Sequence, residues 1–322
     1  MKFVTFDIGS GEARSGWLKD QFIIDMHTIS GGRLPCDLLE FVRQHERHME
    51  EVIRMDESLG HDAAEWSTHE AVYAATDVAL RAPLPKPPSV RDFYAFEAHV
   101  RAARQRRGLD VVPEWYKFPV FYFSNHQAIV GPGEQVRRPL ATASLDYELE
   151  VACVIGKEGR NIAASEAESH IFGYCIMNDW SARDIQREEV KVGLGPAKGK
   201  DFATSLGPYL VTADELEEYR AGERHDLTMT ARVNGVELSR GNFRDIHYPF
   251  GEMVARASAD ATLYPGDIIG SGTVGTGCIL ELGTEAHRWL EPGDVVELEV
   301  TGLGVLRNTI GESLGRGLAD RS

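Results

Sequence analysis

Asp146-Tyr-Glu148-Leu-Glu150-Val-Ala-Cys-Val-Ile155, followed by Ile171-Phe-Gly-Tyr-Cys-Ile-Met177-Asn-Asp179-Trp-Ser-Ala-Arg183-Asp-Ile-Gln186, is the stretch on which the fold of this chain turns. Leu149, Val151 and Cys153 alternate with Glu148 and Glu150, which predicts a strand. The two-residue period of a strand puts both glutamates on one face, about 7 Å apart. Two like charges so placed on a buried face repel, and one keeps its proton unless a cation sits between them. The second segment is β-like from Ile171 to Met177 and delivers Asp179 at its end. Three carboxylates without a nearby Cys or His pair suit a hard cation bound through oxygen, Mg²⁺ before Ca²⁺ or Mn²⁺. The same tripeptide recurs as Glu297-Leu-Glu299, after the turn Glu291-Pro-Gly-Asp294. No acid-bearing partner is evident there, and a solvated strand face accounts for it.

Around this stretch the chain, at 322 residues, is long enough for one large domain and a small one. Hydrophobic residues make up 43% and charged residues 26%, an ordinary balance for a soluble globular protein. The formal net charge of −16 argues against nucleic acid or an anionic membrane as a partner. An anionic substrate is still admissible where a metal and local Arg or Lys reverse the field. Cys36, Cys153, Cys175 and Cys278 are far apart, and three lie in apolar runs, which predicts buried reduced thiols. Met1-Lys-Phe-Val-Thr-Phe-Asp-Ile8 lacks the length and flanks of a signal peptide, and no apolar run approaches the ~18 residues of a membrane span. A reducing cytoplasm is the expected compartment.

Towards the N-terminus, Lys2–Ile8, Ser15–Leu18 and Gln21–Ile24 read as short strands between glycine turns. From Pro35 onward Leu38, Phe41, Val42, Val52 and Ile53 fall at helical spacing, with His45 and His48 as solvated helix residues. Ala82-Pro-Leu-Pro-Lys-Pro-Pro-Ser89 is an extended proline connector. It separates a small N-terminal β-rich domain, 1–82, from a large domain, 83–322. Arg91-Asp92-Phe-Tyr94-Ala-Phe-Glu97-Ala-His99 follows and opens a helix rich in Ala and Arg. Residues 92–116 are charged and bounded by glycine and proline. They read as a mobile lid. Beyond residue 120, β signals dominate: the Asn234-Gly235 hairpin and strands at 268–269, 279–282, 295–300 and 305–310. Helices are expected near 164–170, 182–190, 213–220 and 249–257. The fold class is mainly β (α+β), with the large domain closing as a mixed β-roll or sandwich.

Gly270-Ser-Gly272-Thr-Val-Gly275 matches G-x-G-x-x-G, but a dinucleotide site needs a helix next, to offer its N-terminus to the pyrophosphate. Cys278-Ile-Leu-Glu281-Leu282 follows instead, a strand by composition. Gly195-Pro-Ala-Lys-Gly199-Lys200 lacks both the first glycine and the hydroxyl residue of a phosphate-binding loop. No H-E-x-x-H or G-x-S-x-G occurs.

Several separated stretches then agree. Asp92-Phe-Tyr94…His99, Leu145-Asp-Tyr-Glu148-Leu-Glu150, Asn178-Asp179-Trp-Ser-Ala-Arg183-Asp-Ile-Gln186, Gly199-Lys200-Asp-Phe and Gly270-Ser-Gly-Thr273…Leu280-Glu281-Leu282 together resemble the fumarylacetoacetate hydrolase family. The resemblance implies a β-roll catalytic domain, a homodimer, and a metal-dependent hydrolase acting on carbon–carbon bonds in ketonic substances. Its substrate would be a β-diketo acid, fumarylacetoacetate-like or acylpyruvate-like, of aromatic-compound catabolism. The metal ligands implied are Asp92, Glu148, Glu150 and Asp179, with His99 activating water and Glu281 orienting it. The implied substrate contacts are Tyr94, Tyr122, Arg183, Gln186, Lys200 and Thr273. Of these, Lys200, Arg183 and Gln186 would also act as catalytic donors to the oxyanion. A substrate-binding arginine of the family, nine residues after the histidine, falls on Gly108, with Arg101, Arg104, Arg106 and Arg107 nearby.

The chemistry suits those residue types. A 1,3-dicarbonyl chelates Mg²⁺, neutral His99 can take a proton from water, and Glu281 can fix the tautomer. An oxyanion donor of this kind is typically worth ~3 kcal/mol. The rival within the family keeps the metal and the enolate without water attack. It would decarboxylate, hydrate or tautomerise an oxaloacetate-like 2-oxo acid. A non-catalytic, Mg²⁺-stabilised binding protein is the third possibility.

Overall fold

Apolar runs without helical periodicity fill the middle of the chain, and they assemble into two sheets. The computed structural model describes residues 1–60, 62–106 and 108–313. In chain order the strands of these two sheets are β1 (Lys2–Asp7), β2 (Arg14–Lys19), β3 (Phe22–Asp25), β4 (Val72–Ala74), β5 (Ala79–Arg81), β6 (Val90–Phe93), β7 (Phe121–Ser124), β8 (Ile129–Val130) and β9 (Gln135–Arg137). They continue with β10 (Leu149–Ile155), β11 (Ile171–Asp179), β12 (Thr204–Thr212), β13 (Thr228–Val233), β14 (Val236–Asn242), β15 (Ile268–Gly270), β16 (Val295–Val300) and β17 (Gly304–Gly311). The larger sheet runs β4-β3-β2-β1-β12-β11-β10-β15-β6-β7, with β5 on β1 and β8 parallel to β12. The smaller runs β14-β13-β16-β17-β9. This is the mainly β, α+β class expected. Through Lys2↔Val211 and Phe3↔Leu210, β1 bonds to β12, so the N-terminal strands extend the main sheet across the proline connector.

Every residue of β10 is buried, and the strand period sorts them between two cores. Leu149, Val151, Cys153 and Ile155 join Met229 and Leu298 of the smaller sheet. Ala152 and Val154 join Phe41, Val42 and Val52 of the helices Leu38–Arg43 and His45–Leu59. Covering both faces is why this strand reads as a nearly continuous apolar run. By the same alternation Glu150 shares the face of Ala152, Asp179 that of Met177, and Asp92 that of Val90. The registers Asp92↔Gly270, Gly270↔Ala152 and Glu150↔Met177 bring the three acids to one end of the sheet.

Two expectations are corrected. Ile279–Leu282 is one helical turn, not a strand. The Asp146 carboxylate accepts the amide protons of Ile279 and Leu280 at 2.8 and 3.0 Å, which satisfies the first donors of a turn and outweighs the β composition. The dinucleotide reading still fails, because that short N-terminus is already occupied by a carboxylate. His48 is buried, not solvated, and His45 packs edge-on against Phe172 at 5.2 Å. Their helix turns this side onto the sheet. Cys153, Cys175 and Cys278 are free and buried as expected, while Cys36 is exposed. Among the described residues no helix is long and apolar enough to cross a membrane.

Candidate metal centre and active site

Asp92 lies near the end of β6, Glu148 precedes β10, Glu150 is its second residue and Asp179 ends β11. None is more than 4% exposed, and each offers an oxygen within 4.8 Å of the others. Glu150 Oε2 and Asp179 Oδ1 are buried without a hydrogen-bond partner. Carboxylate oxygens left unpartnered in a low-dielectric interior are costly, and a cation amid the four offsets that cost. With oxygen as the only donor type, these residues fit a hard divalent ion. Gly270 is part of the cradle. A Cβ there would lie 2.6 Å from Asp92 Oδ1 and 2.4 Å from Met177 Cε. Gly272, at φ +77°, donates its amide to the same Asp92 oxygen at 3.3 Å. The glycine motif thus serves close backbone approach to an acid-bearing strand, not a phosphate.

Two cations counter the acids. Lys200 Nζ donates to Glu148 Oε2 at 2.5 Å and to Asp179 Oδ2 at 2.6 Å. Arg183 binds Asp146 through Nε at 2.8 Å, stands 2.8 Å from Glu148 through Nη2, and donates from Nη1 to Gln186 Oε1 at 3.1 Å. Tyr122 donates its hydroxyl to Asp179 Oδ2 at 2.6 Å, and Thr273 donates to Glu150 Oε1 at 3.2 Å. Burial, reinforced by neighbouring anions, pushes Asp92 and Glu150 well above the carboxylate range. Burial works in the same direction on Glu148, but Lys200 and Arg183 outweigh it and hold that group low. Lys200 is buried too, yet Asp179 and Glu148 raise its pKa and keep it charged. Four carboxyl groups thus face two cations, one of them shared with Asp146.

His99 sits in the first turn of the helix Glu97–Gln105, whose buried side is His99, Val100 and Ala103. Its Nδ1 is 2.5 Å from Glu281 Oε1, and Glu281 Oε2 accepts the Thr276 amide at 2.9 Å. A carboxylate at that distance accepts the hydrogen bond, so in the neutral ring Nδ1 holds the proton and Nε2 keeps its lone pair. Tyr94 packs edge-on against the imidazole at 5.3 Å. His99, Tyr94, Tyr122, Gln186, Lys200 and Thr273 line one cavity of about 320 Å³ whose wall also includes Asp92, Glu148 and Glu150. Asp179 and Glu281 lie outside that lining. His99 is buried, bonded to Glu281 and inside the cavity. Packing of Val100 and Ala103 holds the helix down.

The nearby arginines have other partners. Arg101 pairs with Glu97, Arg104 donates to the Asp110 carbonyl and Arg106 to that of Glu281, while Arg107 lies outside the described residues. Asp146 has no role assigned from the sequence. It is fully buried, caps the turn that bears Glu281 and anchors Arg183. Its signal was present: it stands two residues before Glu148, in phase with the other acids.

The model of the fumarylacetoacetate (FAA) hydrolase C-terminal domain matches residues 89–311. Oxaloacetate tautomerase YisK of Bacillus subtilis is 30% identical over 294 residues, spanning 90% of this chain and 89% of that protein. The fumarylacetoacetase of Bos taurus is 32% identical over 253 residues, spanning 63% of this chain and 60% of that protein. The solved fumarylacetoacetate hydrolase from psychrophilic Exiguobacterium antarcticum is 27% identical, with TM-score 0.73, covering 97% of this chain and 99% of that one. The matched span contains every residue of the site just described, and the chain belongs to the fumarylacetoacetate hydrolase family.

Proposed function

We propose that this chain is a divalent-metal-dependent hydrolase that cleaves a carbon–carbon bond of a β-diketo acid, acting with Mg²⁺ as a cytoplasmic homodimer. The His99–Glu281 pair, set on the same cavity as the acid cluster, carries this proposal. Hydrolysis needs a base for water beside a site that polarises a carbonyl, and both halves are supplied here.

Asp92, Glu148, Glu150 and Asp179 would hold the ion, which when bound supplies a chelation point for two substrate oxygens and Lewis-acid polarisation of a carbonyl. His99 Nε2 takes a proton from water as the water oxygen bonds to the carbonyl carbon. Glu281 accepts the hydrogen bond from Nδ1–H and stabilises the imidazolium. The oxyanion then meets the remaining ammonium proton of Lys200 and the side-chain amide of Gln186, whose carbonyl is turned to Arg183. Arg183, engaged by Asp146, Glu148 and Gln186, orients its neighbours. The carbon–carbon bond breaks with its electron pair leaving on the oxo-acid fragment, and His99 returns the proton to that carbon. One carboxylic acid and one 2-oxo acid are released.

A second reading has a specific observation behind it. The tautomerase relative aligns with 90% of this chain and the fumarylacetoacetase with 63%. In a tautomerase His99 would only shuttle a proton between carbon and solvent. The test is an assay of 2,4-dioxo acids with Mg²⁺ and then with EDTA. Metal-dependent loss of diketo-enol absorbance with equimolar formation of two acids is the expected result. Accelerated ketonisation of enol-oxaloacetate without any cleavage product would replace the first reading by the second.

A further inference from the structure

Cys278 stands beside the proton-handling pair and takes no part in the chemistry above. It immediately precedes the helical turn Ile279–Leu282, and Glu281 follows it by three residues, so one turn of helix brings both side chains to the same side. The Cys278 thiol is free, buried and 3.7 Å from Glu281 Oε1. His99, on the helix Glu97–Gln105, reaches the same carboxylate oxygen from another element, with Nδ1 at 2.5 Å. A nitrogen, a sulfur and an oxygen thus lie within 4.8 Å of one another.

This donor set differs in kind from the acid cluster. Four carboxylates suit a hard ion, whereas imidazole, thiolate and a carboxylate are ligands of a borderline ion such as Zn²⁺. Tetrahedral Zn²⁺, with bonds of about 2.0–2.3 Å, spaces its ligand atoms roughly 3.3–3.7 Å apart. The sulfur–oxygen distance already meets that spacing. The nitrogen–oxygen distance must open by about 1 Å as the metal replaces the shared proton. The ligands are also held from behind. The Thr276 amide donates to Glu281 Oε2 at 2.9 Å, Arg106 donates to the Glu281 carbonyl at 3.0 Å, and Asp146 accepts the amides of Ile279 and Leu280. Hydrogen bonds of this kind fix the orientation of metal ligands. His99 lines the cavity, so an ion reaches the group from there and a water completes its fourth position.

We propose that His99, Cys278 and Glu281 form a second metal site, selective for Zn²⁺ over Mg²⁺, and that filling it switches the base off. The thiol proton leaves for solvent as sulfur bonds to the metal. The metal takes the place of the Nδ1 proton and a proton settles on Nε2, so the imidazole stays neutral with no lone pair facing the water. A single proton is released, and no electron changes hands. The ion at the acid cluster is not displaced. The site itself is independent of the hydrolase reading; only its effect on turnover rests on His99 acting as the base.

Co²⁺ titrated into the Mg²⁺-saturated protein is the direct probe, because a thiolate bonded to Co²⁺ gives a near-ultraviolet charge-transfer band and oxygen ligands do not. We expect a band that saturates at one equivalent and that Zn²⁺ abolishes by displacement. It should be absent from Cys278→Ser and Cys278→Ala, each checked as folded by its Mg²⁺-induced rise in Tm. It should persist in Cys36→Ser and in Glu150→Gln, where the acid cluster is disabled. Zn²⁺ added at saturating Mg²⁺ should lower wild-type turnover by about tenfold or more, and that of Cys278→Ser by about twofold or less. No band in the wild type, a band that survives the loss of Cys278, or one that vanishes in Glu150→Gln overturns the proposal. Zn²⁺ inhibition of equal depth in wild type and Cys278→Ser does so too. A Cys278-dependent band in a protein that cleaves no dioxo acid removes the hydrolase and leaves the metal site. Cleavage without any band removes the metal site and leaves the hydrolase.

Discussion

Glu148-Leu-Glu150 and Glu297-Leu-Glu299 are the same tripeptide in two settings. Glu148 and Glu150 are 4% and 0% exposed and lie among other acids, with Lys200 and Arg183 set against Glu148. Glu297 and Glu299 are 30% and 45% exposed at the side chain and face Arg307 at 3.4 Å and Arg232 at 2.6 Å. The second pair lies on β16, which buries alternate residues only, whereas β10 is covered on both sides. The local sequence is therefore silent on the fate of these glutamates. What decides is the strand's place in its sheet and the side chains that neighbouring strands bring to the same level: Asp92 and Asp179 in one case, arginines in the other.

The largest expected effect is the sharpest way to break this comparison. Glu150→Gln should lower Mg²⁺-dependent turnover by more than ~100-fold and abolish the rise in Tm that Mg²⁺ gives the wild type. Glu299→Gln should leave turnover within about twofold and cost about 0.5 kcal/mol, because an exposed pair contributes little. Equal losses at the two sites, measured by steady-state kinetics and thermal shift, would mean the settings do not differ as described. His99→Gln should lower cleavage by about 10²–10⁴-fold while the Mg²⁺-induced rise in Tm persists, separating proton transfer from ion binding. Loss of that rise along with activity would show that the histidine is part of the ion site.

Gly270→Ala is a smaller and more indirect perturbation. Its methyl must displace Asp92 or Met177, and we expect about 1–3 kcal/mol of destabilisation in urea with weakened Mg²⁺ binding. The smallest effect is a pH dependence beside the exposed tripeptide. Burial would raise the Asp294 pKa, but hydrogen bonds from Arg288 and Asn234 overcome it and hold the group at about 2. A depressed carboxylate contributes stability above its unfolded pKa of about 4 and loses that contribution as pH falls towards the folded value. Asp294→Asn should therefore flatten the wild-type decline in Tm between about pH 4 and pH 2 and leave metal-dependent activity unchanged.

Much of the acid cluster was legible because strand alternation is a local rule. It links Glu148 to Glu150 and places Asp179 at the end of an apolar run. What that rule cannot carry is pairing between distant segments. Glu281 acquires a partner only when His99, 182 residues away, folds against it. The helical turn at Ile279–Leu282 was illegible for the same reason, since the carboxylate that caps it comes from Asp146, 133 residues earlier. His48 looked solvated because helical spacing does not say which neighbour covers a given side. Arg183 and Tyr122, expected to contact substrate, carry hydrogen bonds to Asp146 and Asp179, and only coordinates reveal how many of their donors remain.

Asp146 has a consequence beyond its own contacts. Both of its oxygens steady the segment that presents Glu281 to the imidazole, and Oδ2 also grips the guanidinium that leans on Glu148. The proton-handling half of the pocket and the ion-holding half are thereby bolted to a common post. Neither can be retuned by sliding it away from the other. What remains free to change is the lining of the space between the halves, not the distance that separates them.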